Sequence, residues 1–98
     1  SGLKFDWDPR KATTNHEKHG VSFEEAKGRF YDDYARLISD SRHSDDEDRF
    51  ILLGFSVQLR LLVVSHTYRK EGQIIRVISA RSATRSEQHE YEGFRHAR

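Results

Sequence analysis

The stretch RLLVVSHTYRKEGQIIRVISA, residues 60–80, contains two apolar segments on either side of a polar connection. Aliphatic and β-branched residues dominate both segments, Arg60–Thr67 and Gln73–Ala80, which predicts two strands. The connection Tyr68–Gly72 is polar and ends in glycine, which is typical of a hairpin. We therefore predict an antiparallel β-hairpin at the centre of the protein.

Side chains alternate between the two faces of a strand, so the sequence also assigns the charged residues of this hairpin to faces. Arg60 and His66 fall on one face of the first strand. On the second strand, Arg76 and Arg81 fall on opposite faces, because an odd number of positions separates them. The alternation leaves open which face is buried.

Working outward toward the N-terminus, the sequence predicts a short strand at Phe5–Asp8 and two helices. The first helix spans residues 9–19, since an N-cap aspartate and a proline precede its body and a glycine follows it. The second helix begins at the capping box Ser22–Glu25.

Between the second helix and the hairpin, the sequence predicts a weak strand at Ala35–Ile38, an acidic loop at Asp40–Asp48 and a strand at Arg49–Phe55. A second capping box, Thr84–Glu87, begins a last helix. The predicted fold is α+β, a small antiparallel sheet with two N-terminal helices and a C-terminal helix. We expect the helices to cover one sheet face and the other face to stay open.

Composition narrows the classes of protein. The chain has 98 residues, 35% apolar and 34% charged, which predicts one domain and excludes a multidomain enzyme. Cysteine is absent, which excludes disulfides, cysteine-bound metals and thiol nucleophiles and fits a reducing cytoplasm. The apolar runs are shorter than the roughly 18 residues of a membrane span, so we expect no membrane association. Residues 1–2 are interpreted as the remnant of a cleaved tag, and residues 3–98 as the domain.

Charge is distributed unevenly, although the net charge is only +1. Residues 31–50 carry seven acidic residues against three arginines, whereas residues 60–98 carry seven arginines and one lysine against four glutamates. The planar guanidinium suits bidentate contact with phosphate, so the second half could bind an anion. A solvated basic surface without a ligand is the alternative.

Three segments carry a resemblance to a known family. They are FDWDPRKATTNHEKHGVSFEEA at residues 5–26, RLLVVSHTYR at residues 60–69 and IIRVISARSATRSEQHEYE at residues 74–92. In this order they resemble the BrnT-type toxins, over nearly the whole of Phe5–Glu92. The resemblance implies a RelE-like ribonuclease, the toxin of a bacterial type II toxin–antitoxin pair. It also implies a BrnA-type antitoxin as partner, with operator DNA bound only through that antitoxin.

The implied reaction is cleavage of an RNA phosphodiester without a metal ion or cofactor, which sets three tasks. A base must remove the 2′-hydroxyl proton, a cation must stabilise the charged transition state, and an acid must protonate the departing 5′-oxygen. Arginine suits the second task, and we expect Arg60, Arg76 and Arg81 to perform it. His66 is the expected acid–base residue, since an unperturbed histidine titrates near pH 6.5.

Further residues are expected to contact RNA around this centre, and they are Arg69, Arg85, Tyr91 and Lys18. Several of these candidates also have an ordinary structural interpretation. His66 could form a hydrogen bond within the sheet, Tyr91 could belong to the core, and Lys18 could stabilise the end of the first helix through its dipole.

Two patterns could suggest a metal. His16 and His19 lie on one helical face at a spacing that can bind zinc, but two ligands are too few. The run Asp45–Asp48 lacks the alternation and the glycine of an EF-hand loop. We therefore expect no metal site.

Two alternatives to the enzyme stay open. The protein could be a non-catalytic module that binds the antitoxin and modulates its binding to operator DNA, with the arginines as partner contacts. It could also be a general RNA-binding domain, but this would require exposed aromatic residues for base stacking. Most aromatic residues of this chain lie at apolar-periodic positions.

Overall fold

The structure is a computed structural model, and it describes residues 2–39, 49–55 and 60–96. The predicted acidic loop Asp40–Asp48 lies outside the described residues. The strands are β1 (Lys4–Asp6), β2 (Arg36–Ser39), β3 (Phe50–Phe55), β4 (Leu61–Arg69) and β5 (Ile74–Ser82). The α-helices are α1 (Pro9–His19), α2 (Phe23–Lys27), which continues as a 3₁₀ helix over Gly28–Tyr31, and α3 (Arg85–His96).

The strands form one five-stranded sheet in the order β1-β5-β4-β3-β2. Neighbouring strands from β2 to β5 run antiparallel, whereas β1 pairs with β5 in parallel. The α+β class is therefore confirmed, but the prediction of a purely antiparallel sheet is wrong. The parallel pairing of β1 with β5 follows from the path of the chain. Two helices and three strands separate the two strands in sequence, which leaves room for the crossover that a parallel pair requires.

The capping residues place the helices as the sequence predicts. The Asp8 side chain accepts a hydrogen bond from the Arg10 amide at 2.9 Å, and α1 ends at Gly20, whose φ of 69° is left-handed. At α3, Thr84 and Glu87 each accept a hydrogen bond from the other's backbone amide, at 3.2 and 2.8 Å.

A β-bulge interrupts the pairing of the central hairpin. Ser65 pairs with Ser79, but the next residue, His66, pairs with Val77, so Ile78 is an extra residue in β5. An extra residue reverses the alternation of faces beyond it. Arg76 and Arg81 therefore lie on the same face, and the prediction that they lie on opposite faces is wrong.

The helix-covered face of the sheet packs against α1 and α2. Its core joins the strand residues Leu62, Val64, Val77 and Ala80 to Val21, Phe23 and Ala26. The position of α1 is fixed by Asn15, which is buried beside the free edge of β5. Its amide donates to the Ala80 carbonyl at 2.9 Å and accepts from the Ala80 N–H at 3.1 Å. A side chain of α1 thus forms the hydrogen bonds that a neighbouring strand would otherwise form with the Ala80 backbone.

The second face of the sheet is covered in part by α3. Tyr91 packs with Leu53, Leu61 and Val63 in a second apolar cluster. Its hydroxyl donates to the Asp32 carboxylate at 2.6 Å, and its exposed fraction is 1%. The expectation that helices cover only one face is therefore wrong. Tyr91 is a core residue in this structure, since its ring fills an apolar interface and its hydroxyl has a hydrogen-bond partner.

His66 lies on the helix-covered face and is fully buried. Its ring packs edge-on against Phe30, with centroids 4.8 Å apart. Nδ1 lies 3.2 Å from the Val64 carbonyl oxygen, and Nε2 lies 3.3 Å from the Tyr68 hydroxyl. His66 and Arg60 lie on the same face of the sheet, as the alternation predicts. That face is covered by helices at the position of His66.

Burial makes protein stability sensitive to acid through His66. Desolvation lowers the pKa of His66 from 6.5 to about 4, against a smaller opposing effect of the Val64 carbonyl. The unfolded chain therefore binds more protons than the folded protein between those values, and stability falls as pH falls through this window. We expect the free energy of unfolding, measured with urea, to drop by about 2 kcal/mol from pH 7 to pH 5 on account of His66.

Substitution of His66 removes this contribution. His66→Phe, or His66→Gln where the phenylalanine variant does not fold, should flatten the dependence on pH between 7 and 5. His89→Gln changes an exposed histidine of α3 and is the matched control, which should keep the wild-type slope. Equal slopes in wild type and the His66 variants would contradict the argument.

Candidate active site

The second face of the sheet carries a group of polar residues beyond the part that α3 covers. We call it the arginine face, and its members are Ser65, Arg69, Arg76, Ser79 and Arg81. Arg81 pairs with Val63 and Arg76 with Thr67, four positions apart on β4, so their Cα atoms are about 13 Å apart. The directly paired Ser65 and Ser79 lie between them. Two guanidinium groups thus flank two hydroxyls on a rigid β-sheet.

Arg81 is held by Glu87 in a bidentate ion pair. Nη1 and Nη2 each donate to one carboxylate oxygen, both at 2.9 Å. The hydrogen bonds from Arg81 are the largest cause that lowers the pKa of Glu87, to about 2. Glu87 is therefore a weak base at neutral pH, and it orients the guanidinium.

Glu87 is a site residue that the sequence analysis missed. The capping box placed it in the first turn of α3, directly after β5, and this position brings its carboxylate back to the last strand residues. The same box was read only as a helix start. Because α3 begins three residues after β5 ends, a carboxylate in the first turn of α3 indicates an ion-pair partner for an arginine at the end of β5.

Arg76 is less constrained than Arg81. Arg76 donates one hydrogen bond to Asp6 at 3.3 Å, and the two side chains are 34% and 44% exposed. Arg69 is exposed at the end of β4, where alternation places it on the arginine face. Partly exposed ion pairs of this kind contribute little to stability, so Arg76 can exchange its carboxylate for another anion.

Arg60 belongs to a different group of charges. Its Nε donates to Glu25 at 2.8 Å and its Nη2 contacts the same carboxylate and the Gly20 carbonyl. The hydrogen bonds from Arg60 are the largest cause that lowers the pKa of Glu25. Arg29, fully buried, binds both Glu25 and the Arg60 carbonyl. The structure therefore places Arg60 at the junction of α2 and β4, apart from Arg76 and Arg81.

The remaining candidates are at the surface. Arg85 is exposed at the start of α3, and Lys18 is exposed on α1, where it lines an open groove beside β5. His66 and Tyr91 are buried, as described above. Of the eight candidate residues, the structure brings Arg69, Arg76 and Arg81 together on one face.

An apolar groove of about 200 Å³ adjoins Arg81 on the second face. Ile38, Ile51, Leu53 and Val63 line it, and Arg81 and Glu87 lie on its rim together with Arg36 and Glu90. The groove places an apolar surface directly beside the most strongly oriented guanidinium of the site.

Two searches of the described part of the chain concern metals and membranes. Residues 2–39, 49–55 and 60–96 contain no group of three or more His, Asp or Glu residues placed to hold a metal ion. Among the helices of these ranges, none is long and apolar enough to cross a membrane.

The sequence and the structure were compared with known proteins. Residues 7–87 match the model of a family described as the ribonuclease toxin BrnT of a type II toxin–antitoxin system. The fold is similar to the crystal structure of the ribonuclease toxin BrnT of Brucella abortus, with a TM-score of 0.66 and 26% sequence identity. The similarity covers 86% of this chain and 100% of that chain. No curated protein sequence matches.

The family match extends from the end of β1 to Glu87, so it includes α1, α2, the central hairpin with its bulge and the Arg81–Glu87 pair. This chain therefore belongs to the BrnT family of ribonuclease toxins of type II toxin–antitoxin systems.

Proposed function

We propose that this protein is a RelE-like endoribonuclease that cuts messenger RNA without a metal ion and thereby inhibits translation. The arginine face is the cleavage site in this proposal, and a BrnA-type antitoxin silences the toxin by covering it. Operator DNA is bound only through that antitoxin. The observation that carries the proposal is the placement of Arg76 and Arg81 on one face, on either side of the paired Ser65 and Ser79.

Cleavage by the 2′-hydroxyl passes through a transition state with extra negative charge on the phosphate oxygens. Fixed cations aimed at that charge stabilise it, and each such donor is typically worth a factor of about 100 to 1,000 in rate. Arg81 supplies this charge in an orientation already fixed by Glu87. Arg76 and Arg69 supply further positive charge along the same face.

Glu87 acts as a positioning residue. The Arg81–Glu87 pair is partly solvated, so a phosphate can reach the guanidinium without displacing the carboxylate. Arg81 also keeps N–H groups that the carboxylate does not occupy, since a guanidinium carries five donors. A phosphate can therefore bind Arg81 while Glu87 continues to hold the side chain in place.

The apolar groove next to Arg81 fits a polynucleotide better than a free inorganic anion. A base adjoining the scissile phosphate can lie on Ile38 and Ile51 while the phosphate contacts Arg81. Single-stranded RNA presents unstacked bases, whose faces an apolar surface can cover next to a cation that binds the phosphate.

A general base must lie within hydrogen-bond reach of its proton, and both ring nitrogens of His66 already have partners in the core. The catalytic roles of His66 and Arg60 stay predictions, as do RNA contacts by Arg85, Lys18 and Tyr91. Activity assays of their variants test each of them.

We expect the purified protein to cut a long unstructured RNA in EDTA, without ribosomes. Arg81→Ala should lower the rate by a factor of about 100 or more while remaining folded, because it removes the oriented charge. Arg81→Lys keeps the charge but loses the bidentate fork, so its rate should be intermediate. Rates are measured by gel analysis of labelled RNA, with Lys70→Gln, in the β4–β5 turn, as the charge-change control.

Three results would contradict parts of this proposal. Cleavage that requires added Mg²⁺ would overturn metal independence. Equal rates for wild type and Arg81→Ala would remove the arginine face as the cleavage site. No cleavage of free or ribosome-bound RNA, together with tight antitoxin binding, would favour the non-catalytic module that modulates operator binding.

The position of the site predicts an order among the arginine variants. Arg76→Ala should lower cleavage more than Arg60→Ala, because Arg76 shares the face of Arg81 and Arg60 is bound to Glu25 at the junction of α2 and β4. The comparison uses kcat/KM under identical conditions, with thermal unfolding to confirm that both variants fold. A larger loss in Arg60→Ala would move the cleavage site to that junction.

A further inference from the structure

We propose that the groove between α1 and β5 is a separate binding track for single-stranded RNA, which holds the phosphates of the strand beside the cleavage site. This inference rests on the proposed function in one respect, that the ligand of the toxin is RNA. We call this feature the α1 groove. It is open, has a volume of about 520 Å³, and is lined on the α1 side by residues including Lys11, Thr14, Lys18 and His19.

The groove lies along the part of β5 that has no strand paired to its outer edge. β1 pairs with β5 only as far as Arg76, and beyond that point α1 replaces it, held by the buried hydrogen bonds of Asn15 to Ala80. The bulge lies at this same level, so Ile78 and Ser79 form the β5 side of the groove. A volume of this size is in the range of small-ligand sites, which suits a nucleotide unit or two.

The two lysines of the α1 groove differ from the cations of the sheet and from Arg10, which also lines the groove and lies 3.9 Å from the Asp8 carboxylate. Lys11 and Lys18 are seven residues apart, two helical turns or about 10 Å along one side of α1. Both are exposed, and neither forms an ion pair with any residue in the described ranges. By contrast, Arg60, Arg76 and Arg81 each bind a carboxylate. The lysines are therefore ready to meet an incoming anion without displacing a partner.

The α1 groove and the arginine face share one residue, Ser79. This residue lines the α1 groove, and its pairing with Ser65 also places it between Arg76 and Arg81. A polynucleotide cut at the arginine face therefore has a basic path along α1 for the nucleotides that flank the cleaved bond. Regularly spaced phosphates match a row of cations two turns long.

The lining favours RNA over a protein partner. Protein interfaces depend on buried apolar anchors, and Ile78 is the one aliphatic residue that lines the groove among the described residues. Lysine ammonium groups, the Thr14 hydroxyl and the His19 ring are groups that contact phosphate, sugar and base. An acidic segment of a protein is the alternative that the experiment distinguishes.

The test is binding of a single-stranded 2′-O-methyl RNA of about 12 nucleotides, which lacks the attacking hydroxyl and cannot be cut. Fluorescence anisotropy gives Kd for wild type and for Lys11→Gln/Lys18→Gln between about 50 and 200 mM KCl. We expect the double variant to bind about tenfold more weakly at the lowest salt. The slope of log K against log salt should become less steep by about 1.4, the share of two phosphate contacts on a single strand.

Lys70→Gln makes the same substitution at one lysine in the β4–β5 turn, outside the groove, and should bind like wild type. Unchanged Kd and salt slope in a folded double variant would overturn the inference. So would a double variant that loses antitoxin binding but keeps its RNA affinity, since the groove would then serve a protein. Because the RNA cannot be cut, absent cleavage by wild type would remove the proposed nuclease activity without affecting this result.

Discussion

The bulge at Ile78 is the constraint on which both the core and the candidate site depend. Val77 and Ala80 are three positions apart, so regular alternation would send one of them to the wrong face. The extra residue lets both enter the core beneath α1 and α2. The same shift places Arg76 and Arg81 on one face. A single inserted residue therefore serves packing on one side of β5 and charge on the other.

The electrostatic arrangement follows from the same strand. Three arginines on or beside the central hairpin form ion pairs with carboxylates from neighbouring elements. Arg60 binds Glu25, Arg76 binds Asp6 and Arg81 binds Glu87. These pairs keep a strongly basic hairpin from repelling itself in the absence of ligand. They also orient the guanidinium groups before any phosphate arrives, which is what preorganised stabilisation of charge requires. The lysines of α1 have no such partner among the described residues and can attract RNA at longer range.

Local signals in the sequence were sufficient for most of the elements. The limits of α1 follow from Asp8 and Gly20, and the start of α3 follows from the reciprocal bonds of Thr84 and Glu87, all of which act within a few residues. Pairing between distant segments was not readable in this way. The bulge exists only relative to β4, and the parallel pairing of β1 depends on the path of the whole chain.

The same distinction between local and distant information explains the candidate site. Residue type marked the arginines as candidate anion ligands, but whether Arg76 and Arg81 share a face depended on the bulge. His66 and Tyr91 have side chains suited to chemistry, and the sequence could not show that Phe30 and Leu53 would pack against them. Glu87 was visible only as a capping residue, because its contact with Arg81 requires α3 to turn back along β5.

Size also constrains how such a site can work. A chain of 98 residues has too small a core to enclose a substrate, and its two described grooves are both at the surface of the sheet. On such an open surface, orientation comes from the rigidity of β4 and β5, with charges fixed in advance. On the proposed function, a site of this kind is also easy to silence. An antitoxin needs only to lie across an exposed face to block both the arginines and the path to the α1 groove, with no conformational change in the toxin.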